Sequence, residues 1–220
     1  MNKIRHPAKY TDNFIGIFAE NLKGCKNVLD AFGGVGKIGA IKKYGYTGQV
    51  YCNELEKEWL ESNEYGCDYL TYQDAEFLDY PSSFFDAICT SPTYGNRMAD
   101  HHNAKDGSKR NTYTHCLGHK LSDGNTGAMQ WGGVYRQKHE RIYKHLSGLL
   151  KSNGIFILNI SDHIRKGETI AVSEWHKKTL IDLGFTLKKE YTIETPRLKY
   201  GRNSQLRCDK EKIYVLQKTS

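Results

Sequence analysis

One segment decides the fold: Asn27–Gly39, which reads NVLDAFGGVGKIG. Its apolar start predicts a strand from Asn27 to Phe32, and the spacing of apolar residues that follows predicts a helix from Lys37 to Tyr44. The glycines between them permit a tight turn and a close approach of the backbone to a ligand. The start of the helix presents N–H groups that have no partner within the helix. The segment therefore predicts a ligand-binding turn, and we expect an adenine-containing cofactor there.

Two nucleotide-binding patterns compete for this turn. A phosphate-binding P-loop is excluded because Ala31 stands where its first glycine belongs, and Ile38 stands where Ser or Thr must follow the lysine. The dinucleotide fingerprint G-x-G-x-x-G does fit Gly34–Gly39, and an acidic residue, Glu54, follows at the expected distance of about 20 residues. An NAD-dependent dehydrogenase therefore stays open as an alternative.

Asp30 favours a different cofactor. The stretch from Asp30 to Gly36 matches D-x-F-x-G-x-G, a pattern of methyltransferases. A carboxylate beside the turn suits the positively charged methionine end of S-adenosyl-L-methionine and opposes the pyrophosphate of NAD. We therefore expect S-adenosyl-L-methionine to bind at Asp30, Phe32, Gly33, Gly34 and Gly36.

Short apolar segments alternate with helical patterns along the rest of the chain, which is typical of βαβ units and a mainly parallel sheet. Strands are predicted at residues 27–32, 49–54, 69–72, 85–90, 154–161, 186–193 and 212–217. Helices are predicted at residues 37–44, 57–64, 135–150 and 172–183. The expected fold is α/β, with a doubly wound, mainly parallel seven-stranded sheet whose last strand is antiparallel, in a single domain over residues 1–220.

Acidic side chains also close the second and third predicted strands. Glu54 follows the second strand, where we expect its carboxylate to accept hydrogen bonds from both ribose hydroxyls of the cofactor. Asp74, with Ala75 beside it, follows the third strand, where we expect it to accept the adenine amino group. Because the carboxyl ends of parallel strands share one edge of a sheet, these acids and Asp30 predict a single cofactor site at that edge.

The fourth predicted strand leads into Ser91-Pro92-Thr93-Tyr94. This sequence resembles the D/N/S-P-P-Y/F motif of the amino-methyltransferases, which methylate the exocyclic nitrogen of adenine or cytosine in DNA. The segment His6-Pro7-Ala8 resembles their H-P-A segment near the methionine end of the cofactor, so His6 and Pro7 join the expected cofactor residues. The chain is most similar to small DNA methyltransferases of phages and other mobile elements, through motifs over residues 6–94 and through the strand pattern over 154–217. The resemblance implies a Rossmann-like class I fold and DNA as the partner.

The resemblance also implies roles for the motif residues. An amine conjugated to a base is a poor nucleophile, so the Ser91 side chain and the Pro92 carbonyl would accept its hydrogens and return electron density to the nitrogen. Tyr94 would stack on a base swung out of the duplex. Thr93 stands where a second proline is usual, which leaves the two acceptors in place and loosens the turn. Serine in first position favours cytosine N4 without deciding between cytosine and adenine.

Other substrates and an inactive protein stay open. RNA or a protein glutamine amide are alternatives, since N-P-P-Y motifs serve there as well. A non-catalytic nucleic-acid-binding module is another, because Thr93 departs from the motif. Methylation at cytosine carbon 5 is excluded, since that chemistry calls for a Pro-Cys nucleophile and the sequence has no Pro-Cys pair.

Positive charge is concentrated in the second part of the chain. The formal net charge is +7, and residues 95–220 hold 23 of the 32 Lys and Arg residues but 12 of the 25 Asp and Glu residues. Two predicted insertions at strand ends, residues 95–134 and 196–211, mix basic with polar and aromatic residues. We expect at least one of them to contact nucleic acid. The expected substrate-binding residues are Thr93, Asn96, Arg97, Arg110, Arg197, Lys199 and Arg202.

The composition excludes several other classes of protein. The longest apolar run, Ile155–Leu158, is far shorter than the roughly 20 residues of a transmembrane helix, and the N-terminus lacks the apolar core of a signal peptide. The six cysteines are scattered without a C-x-x-C pair, so we expect reduced thiols and no metal site. The expected location is the cytoplasm, that of the host cell if a phage encodes the protein.

Overall fold

The fold is a three-layer α/β arrangement around a seven-stranded sheet. The computed structural model describes residues 6–8, 10–95, 112–165, 167–195 and 208–219. Its strands are β1 (Asn27–Asp30), β2 (Gln49–Asn53), β3 (Tyr69–Thr71), β4 (Phe85–Thr90), β5 (Leu150–Ile160), β6 (His163–Arg165), β7 (Glu168–Ile170), β8 (Phe185–Glu194) and β9 (Lys210–Lys218). Its helices are α1 (Asp12–Asn21), α2 (Lys57–Leu60), α3 (Tyr113–Leu117), α4 (Gly133–Leu149) and α5 (Val172–Asp182), with 3₁₀ helices η1 (Lys37–Tyr44) and η2 (Thr126–Ala128).

The sheet has the strand order β3-β2-β1-β4-β5-β9-β8. Neighbouring strands from β3 to β5 are parallel, and β9 runs antiparallel to both β5 and β8. The chain moves outward from β1 through β2 to β3 and then returns to β4 on the other side of β1. The strand order thus reverses between β1 and β4, and ligands of such sheets bind at the carboxyl ends of the strands beside this reversal.

Helices cover both faces of the central strands. Consecutive residues of these strands point to opposite sides of the sheet, and both sides are buried. Val28 and Ile157 belong to a core under α1 and η1. Their neighbours Leu29 and Phe156 belong to a second core under α4 and α5. The helices on the two faces therefore hold the central strands in register, and the strand ends that carry polar residues emerge along one edge.

The fold predicted from the sequence is confirmed: all seven predicted strands lie in the sheet, and the last strand is antiparallel. The predicted helix over 57–64 is shorter than expected and ends at Leu60. The reason is Asn63, which has a left-handed backbone with φ of 40° and whose side chain bonds both the N–H and the C=O of Cys67. These bonds replace the next turn of helix.

Two features that lie outside the predicted insertions were not predicted. Helix α1 buries Phe14, Ile15 and Phe18, whose three- and four-residue spacing is a helical pattern. The short antiparallel pair β6 and β7 forms a separate two-stranded sheet after β5. Among the helices that the structure describes, none has the length and apolar character needed to cross a membrane.

The first predicted insertion, residues 95–134, contains regular structure. From Thr112 onward it includes α3 and η2, and α4 begins at Gly133. We refer to residues 121–126 as the roof segment, because Leu121, Gly124, Asn125 and Thr126 line the cavity described below. Residues 96–111 of the first insertion and residues 196–207 of the second lie outside the described residues.

Leu146 on α4 tests the packing of the core. Its side chain is fully buried in the core under α4 and α5. We expect Leu146→Ala to lower the free energy of unfolding by about 2–5 kcal/mol, because it leaves a cavity. Val134 on the same helix is 72% exposed, so Val134→Ala should change that free energy by less than about 0.5 kcal/mol. Urea unfolding followed by circular dichroism measures both, and equal losses would contradict this packing.

Candidate functional site

A cavity of about 660 Å³ opens at the carboxyl ends of β1, β2, β3 and β4. Its volume lies within the roughly 300–1,000 Å³ of small-molecule and cofactor sites. Twelve residues proposed from the sequence line it: His6, Pro7, Phe32, Gly33, Gly34, Glu54, Asp74, Ala75, Ser91, Pro92, Thr93 and Tyr94. The turn after β1 and the Ser91–Tyr94 turn after β4 are thus brought to one space.

The turn after β1 depends on its glycines. Gly33 donates its N–H to the carbonyl of Asn53 at 2.8 Å, and a Cβ at this position would lie 2.0 Å from the sulfur of Cys52. Gly34 has a φ of 55°, and a Cβ there would lie 3.2 Å from the ring of His6. Any side chain on Gly33 would separate β1 from β2, so this part of the cavity wall is bare backbone.

Asp30 lies beneath the turn and does not line the cavity. Its Oδ1 accepts hydrogen bonds from the Thr90 hydroxyl at 2.7 Å and from the Phe32 N–H at 3.1 Å. Its Oδ2 accepts a hydrogen bond from the Tyr10 hydroxyl at 3.0 Å. Burial raises the pKa of Asp30 to about 6, while the three hydrogen bonds oppose the shift. This carboxylate was expected to face the methionine end of a cofactor. In the structure it is instead enclosed by its three hydrogen-bond donors and supports the turn from beneath the cavity wall.

Glu54 stands in the cavity wall. Its Oε2 accepts the N–H of Gly34 at 2.8 Å, and its Oε1 accepts the N–H of Glu56 at 3.1 Å. Burial raises the pKa of Glu54 to about 7, and the two backbone hydrogen bonds oppose that shift. Each carboxylate oxygen can accept more than one hydrogen bond. The carboxylate is therefore fixed in orientation and keeps acceptor capacity for a ligand in the cavity.

Asp74 lines the cavity as expected but has a partner that the sequence did not reveal. Its Oδ2 accepts a hydrogen bond from Nζ of Lys138 at 2.6 Å, and its Oδ1 accepts the N–H of Glu76 at 3.0 Å. The Lys138 side chain is only 8% exposed. The roof segment closes over this pair, since a Cβ on Gly124 would lie 2.7 Å from Oδ2. A ligand that forms a hydrogen bond with the Asp74 carboxylate therefore does so beside the buried ammonium group of Lys138.

The Ser91–Tyr94 turn follows β4 directly and forms the facing wall. Pro92 is buried, and Ser91, Thr93 and Tyr94 are partly exposed. The Thr93 hydroxyl bonds the Thr126 hydroxyl of the roof segment at 2.8 Å. The Thr93 carbonyl accepts a hydrogen bond from the hydroxyl of Tyr135. Thr93 is thus held on both sides, although it was expected to loosen the turn.

The roof segment is fastened to the sheet edge by Glu56, a buried residue that the sequence analysis did not single out. Its Oε1 accepts the N–H of Ser122 at 2.7 Å and the side-chain N–H of Asn125 at 2.8 Å. Its Oε2 accepts the Ser122 hydroxyl at 2.9 Å. Hydrogen bonds to charged groups are about twice as strong as neutral ones, so three of them to one carboxylate hold the roof segment over the cavity.

An aromatic cluster forms another part of the wall. The rings of His6, Trp59 and Tyr113 pack on one another with centroid separations of 4.3 to 5.5 Å. His6 was predicted from its motif, and Tyr113 of α3 is one of the aromatic residues of the first predicted insertion, whereas Trp59 of α2 carried no signal for the site. The cluster fixes the N-terminal segment and α3 beside the glycine turn.

The remaining predicted residues fall into two groups. Asp30 and Gly36 lie outside the cavity wall, and Gly36 instead has a φ of 75° where the backbone approaches Leu60 and Cys67. Asn96, Arg97, Arg110, Arg197, Lys199 and Arg202 lie outside the described residues. Among the described residues, no cluster of three or more His, Cys, Asp or Glu side chains is arranged to hold a metal ion.

No protein-family model matches this sequence, and no curated protein matches it. Solved structures do share its fold. The [4+2]-cyclase SpnF is 14% identical with a TM-score of 0.60, over 94% of this chain and 81% of that chain. The N-methyltransferase NodS from Bradyrhizobium japonicum WM9 is 9% identical with a TM-score of 0.57, over 95% and 99%. A SAM-dependent methyltransferase from Methanosarcina mazei is 14% identical with a TM-score of 0.56, over 92% and 97%.

Identities of 9 to 14% show the fold alone. That fold is the Rossmann-like fold of class I methyltransferases. One of the three proteins is a cyclase, so a shared fold does not fix the reaction, which must be argued from the site itself.

Glu56 provides a test of the roof. Glu56→Ala removes three hydrogen bonds, so we expect the amide hydrogens of residues 121–126 to exchange about 10- to 100-fold faster, as the loss of about 1.5–3 kcal/mol of charged hydrogen bonding implies. Glu61 is an exposed acid five residues further along the chain. The control is therefore Glu61→Ala, which should not change the exchange. Exchange measured by mass spectrometry at equal rates in both variants would show that Glu56 does not hold the roof.

Proposed function

We propose that this protein is an S-adenosyl-L-methionine-dependent methyltransferase that methylates an exocyclic amino nitrogen of a DNA base, cytosine N4 or adenine N6. One observation carries the proposal: the glycine turn with Glu54 and the Ser91–Tyr94 turn line the same cavity. A cofactor site and an amine-binding motif must share one cavity to act in one reaction, because methyl transfer requires close alignment of the reacting atoms.

The wall residues fit S-adenosyl-L-methionine. Gly33 and Gly34 line the cavity with backbone alone, and a Cβ on either would meet the Cys52 sulfur or the His6 ring. Glu54 presents a fixed carboxylate to hydroxyl donors, and the buried acids Asp30 and Glu54 favour a cationic ligand over a pyrophosphate. When bound, the cofactor supplies an activated methyl group on a sulfonium. His6, Phe32, Gly33, Gly34 and Glu54, with Asp74 and Ala75, would hold it.

The turn after β4 would bind the amine. The Ser91 hydroxyl and the Pro92 carbonyl are acceptors that draw hydrogens from the amine and raise its electron density. Tyr94, whose ring packs beside the core under α4 and α5, would stack on the base.

DNA is the proposed partner because the part of the chain after Tyr94 has an excess of positive charge, with 23 Lys and Arg residues against 12 Asp and Glu residues. Phosphates are bound by Lys and Arg side chains without regard to sequence. We propose that Asn96, Arg97, Arg110, Arg197, Lys199 and Arg202, with Thr93, contact the nucleic acid. RNA and a glutamine amide are the competing substrates that the assay below separates.

The reaction itself gives the first test. With radiolabelled S-adenosyl-L-methionine and unmethylated DNA of varied sequence, the wild-type protein should transfer label to DNA, and digestion to nucleosides should yield N4-methylcytosine or N6-methyladenine. Ser91→Ala should lower kcat about 100-fold, as loss of one such hydrogen bond does in other active sites. Tyr94→Ala should weaken DNA use as well, because a stacked base loses about 1–3 kcal/mol.

Ser82→Ala, at an exposed serine before β4, is the matched control and should be fully active. Label that appears in RNA or in a protein amide, and not in DNA, would overturn the proposed substrate. Transfer that Ser91→Ala leaves undiminished would overturn the proposed site.

The affinity for the cofactor should depend on pH. Ribose hydroxyls bond an ionised carboxylate better than a neutral one, and the pKa of Glu54 is about 7 without ligand. The affinity should therefore rise as pH rises through 7, by about tenfold between pH 6 and pH 8, the change in the ionised fraction for a pKa near 7. Calorimetry at the two pH values measures the dissociation constants.

Glu54→Gln is the control because it removes the titrating group. It should bind more weakly and lose the pH dependence that belongs to Glu54, while any titration of the ligand itself stays. The same pH dependence in both proteins would contradict a role for Glu54 in cofactor binding.

A further inference from the structure

A chain of buried side chains runs from the second core to the Ser91–Tyr94 turn. Tyr143 Oη lies 2.6 Å from Nδ1 of His176, and Nε2 of His176 lies 3.0 Å from Oη of Tyr135. The Tyr135 hydroxyl bonds the Thr93 carbonyl. Tyr135, Tyr143 and His176 have no exposed surface. Helices α4 and α5 are thereby connected to a turn of the cavity wall.

The direction of every hydrogen bond in this chain is determined. A carbonyl oxygen only accepts, so the Tyr135 hydroxyl donates to Thr93. Tyr135 Oη must then accept the Nε2–H of His176. A neutral imidazole with its proton on Nε2 has a bare Nδ1, which accepts the hydroxyl hydrogen of Tyr143. All donors point one way, toward the turn, and aligned hydrogen bonds in a dry interior strengthen one another.

We infer that Tyr135 and His176 are positioning residues for the Ser91–Tyr94 turn, which they hold through the Thr93 carbonyl; this inference rests on the proposed function of that turn. The peptide plane between Thr93 and Tyr94 contains both the Thr93 carbonyl and the Tyr94 N–H. Fixing the carbonyl therefore fixes the direction in which the backbone enters Tyr94.

The turn needs this support because of its own residues. Thr93 has no ring to restrict its φ, unlike Pro92 before it. The bond from the Thr93 hydroxyl to Thr126 leads only to the roof segment. The bond from Tyr135 leads to α4, whose residues Tyr135, Ile142 and Leu146 are fully buried. The hydroxyl of Tyr135 thus connects the turn to a helix that is packed into the core.

The test uses the full-length protein without substrate and then with it. Tyr135→Phe keeps the ring, which packs on Trp131 and His139, and removes only the hydroxyl. Amide exchange of the peptide covering residues 91–95 should become about tenfold faster or more, as the loss of a buried hydrogen bond implies, while exchange of residues 31–36 stays unchanged. The kcat for methyl transfer should fall about 10- to 100-fold, since small misplacements of a reacting group have such effects, with little change in cofactor affinity.

Two variants of His176 and a control at Tyr46 separate positioning from stability. His176→Gln keeps an N–H donor near Nε2 and should restore part of the kcat that His176→Leu loses. Tyr46→Phe removes a hydroxyl that bonds backbone carbonyls at the opposite edge of the sheet, and it should change neither exchange at 91–95 nor kcat.

The outcomes are distinct. Unchanged exchange at residues 91–95 in Tyr135→Phe, or a loss of kcat equal to that of Tyr46→Phe, overturns the positioning role. Faster exchange in Tyr135→Phe, with no methyl transfer by the wild-type protein to any of the substrates above, supports the hold on the turn and overturns the proposed function instead.

Discussion

The buried carboxylate of Asp30 is the interaction on which the rest of the site depends. It accepts hydrogen bonds from Tyr10 in the N-terminal segment, from Phe32 in the glycine turn and from Thr90 at the end of β4. A buried charge without such partners costs several kcal/mol, so the three hydrogen bonds tie these segments to Asp30. Thr90 directly precedes Ser91. One charge therefore fixes the glycine turn after β1 relative to the Ser91–Tyr94 turn after β4.

Hydrogen bonds to other buried acids hold the segments that cover the cavity above Asp30. Glu56 is satisfied by the roof segment, and Asp74 is satisfied by Lys138 from α4. Each acid at the sheet edge draws a different part of the chain over the strand ends. Glu54 differs from them because its two protein partners are backbone N–H groups, which leaves it available to a ligand. The site is thus built from satisfied acids around one that keeps acceptor capacity.

The sequence was informative for two residues of the cavity wall that directly follow a strand. Glu54 and Ser91 could be predicted because apolar strand segments end just before them, and parallel strands bring those ends to one edge. The bond between Lys138 and Asp74 could not, since the two residues are 64 positions apart and meet only through the way α4 lies on the sheet. The burial of Asp30 could not be predicted either, because Tyr10 and Thr90, which donate hydrogen bonds to its carboxylate, lie far from it in the sequence.

The central claim is that the turn after β1 and the turn after β4 serve one reaction across one cavity. A crystal structure with S-adenosylhomocysteine, the demethylated form of the proposed cofactor, tests it most directly. We expect the ribose hydroxyls to form hydrogen bonds with Glu54 and the rest of the ligand to lie along Gly33 and Gly34. The sulfur should be directed toward Ser91 and Pro92. A ligand bound elsewhere, or a sulfur directed away from the Ser91–Tyr94 turn, would contradict it.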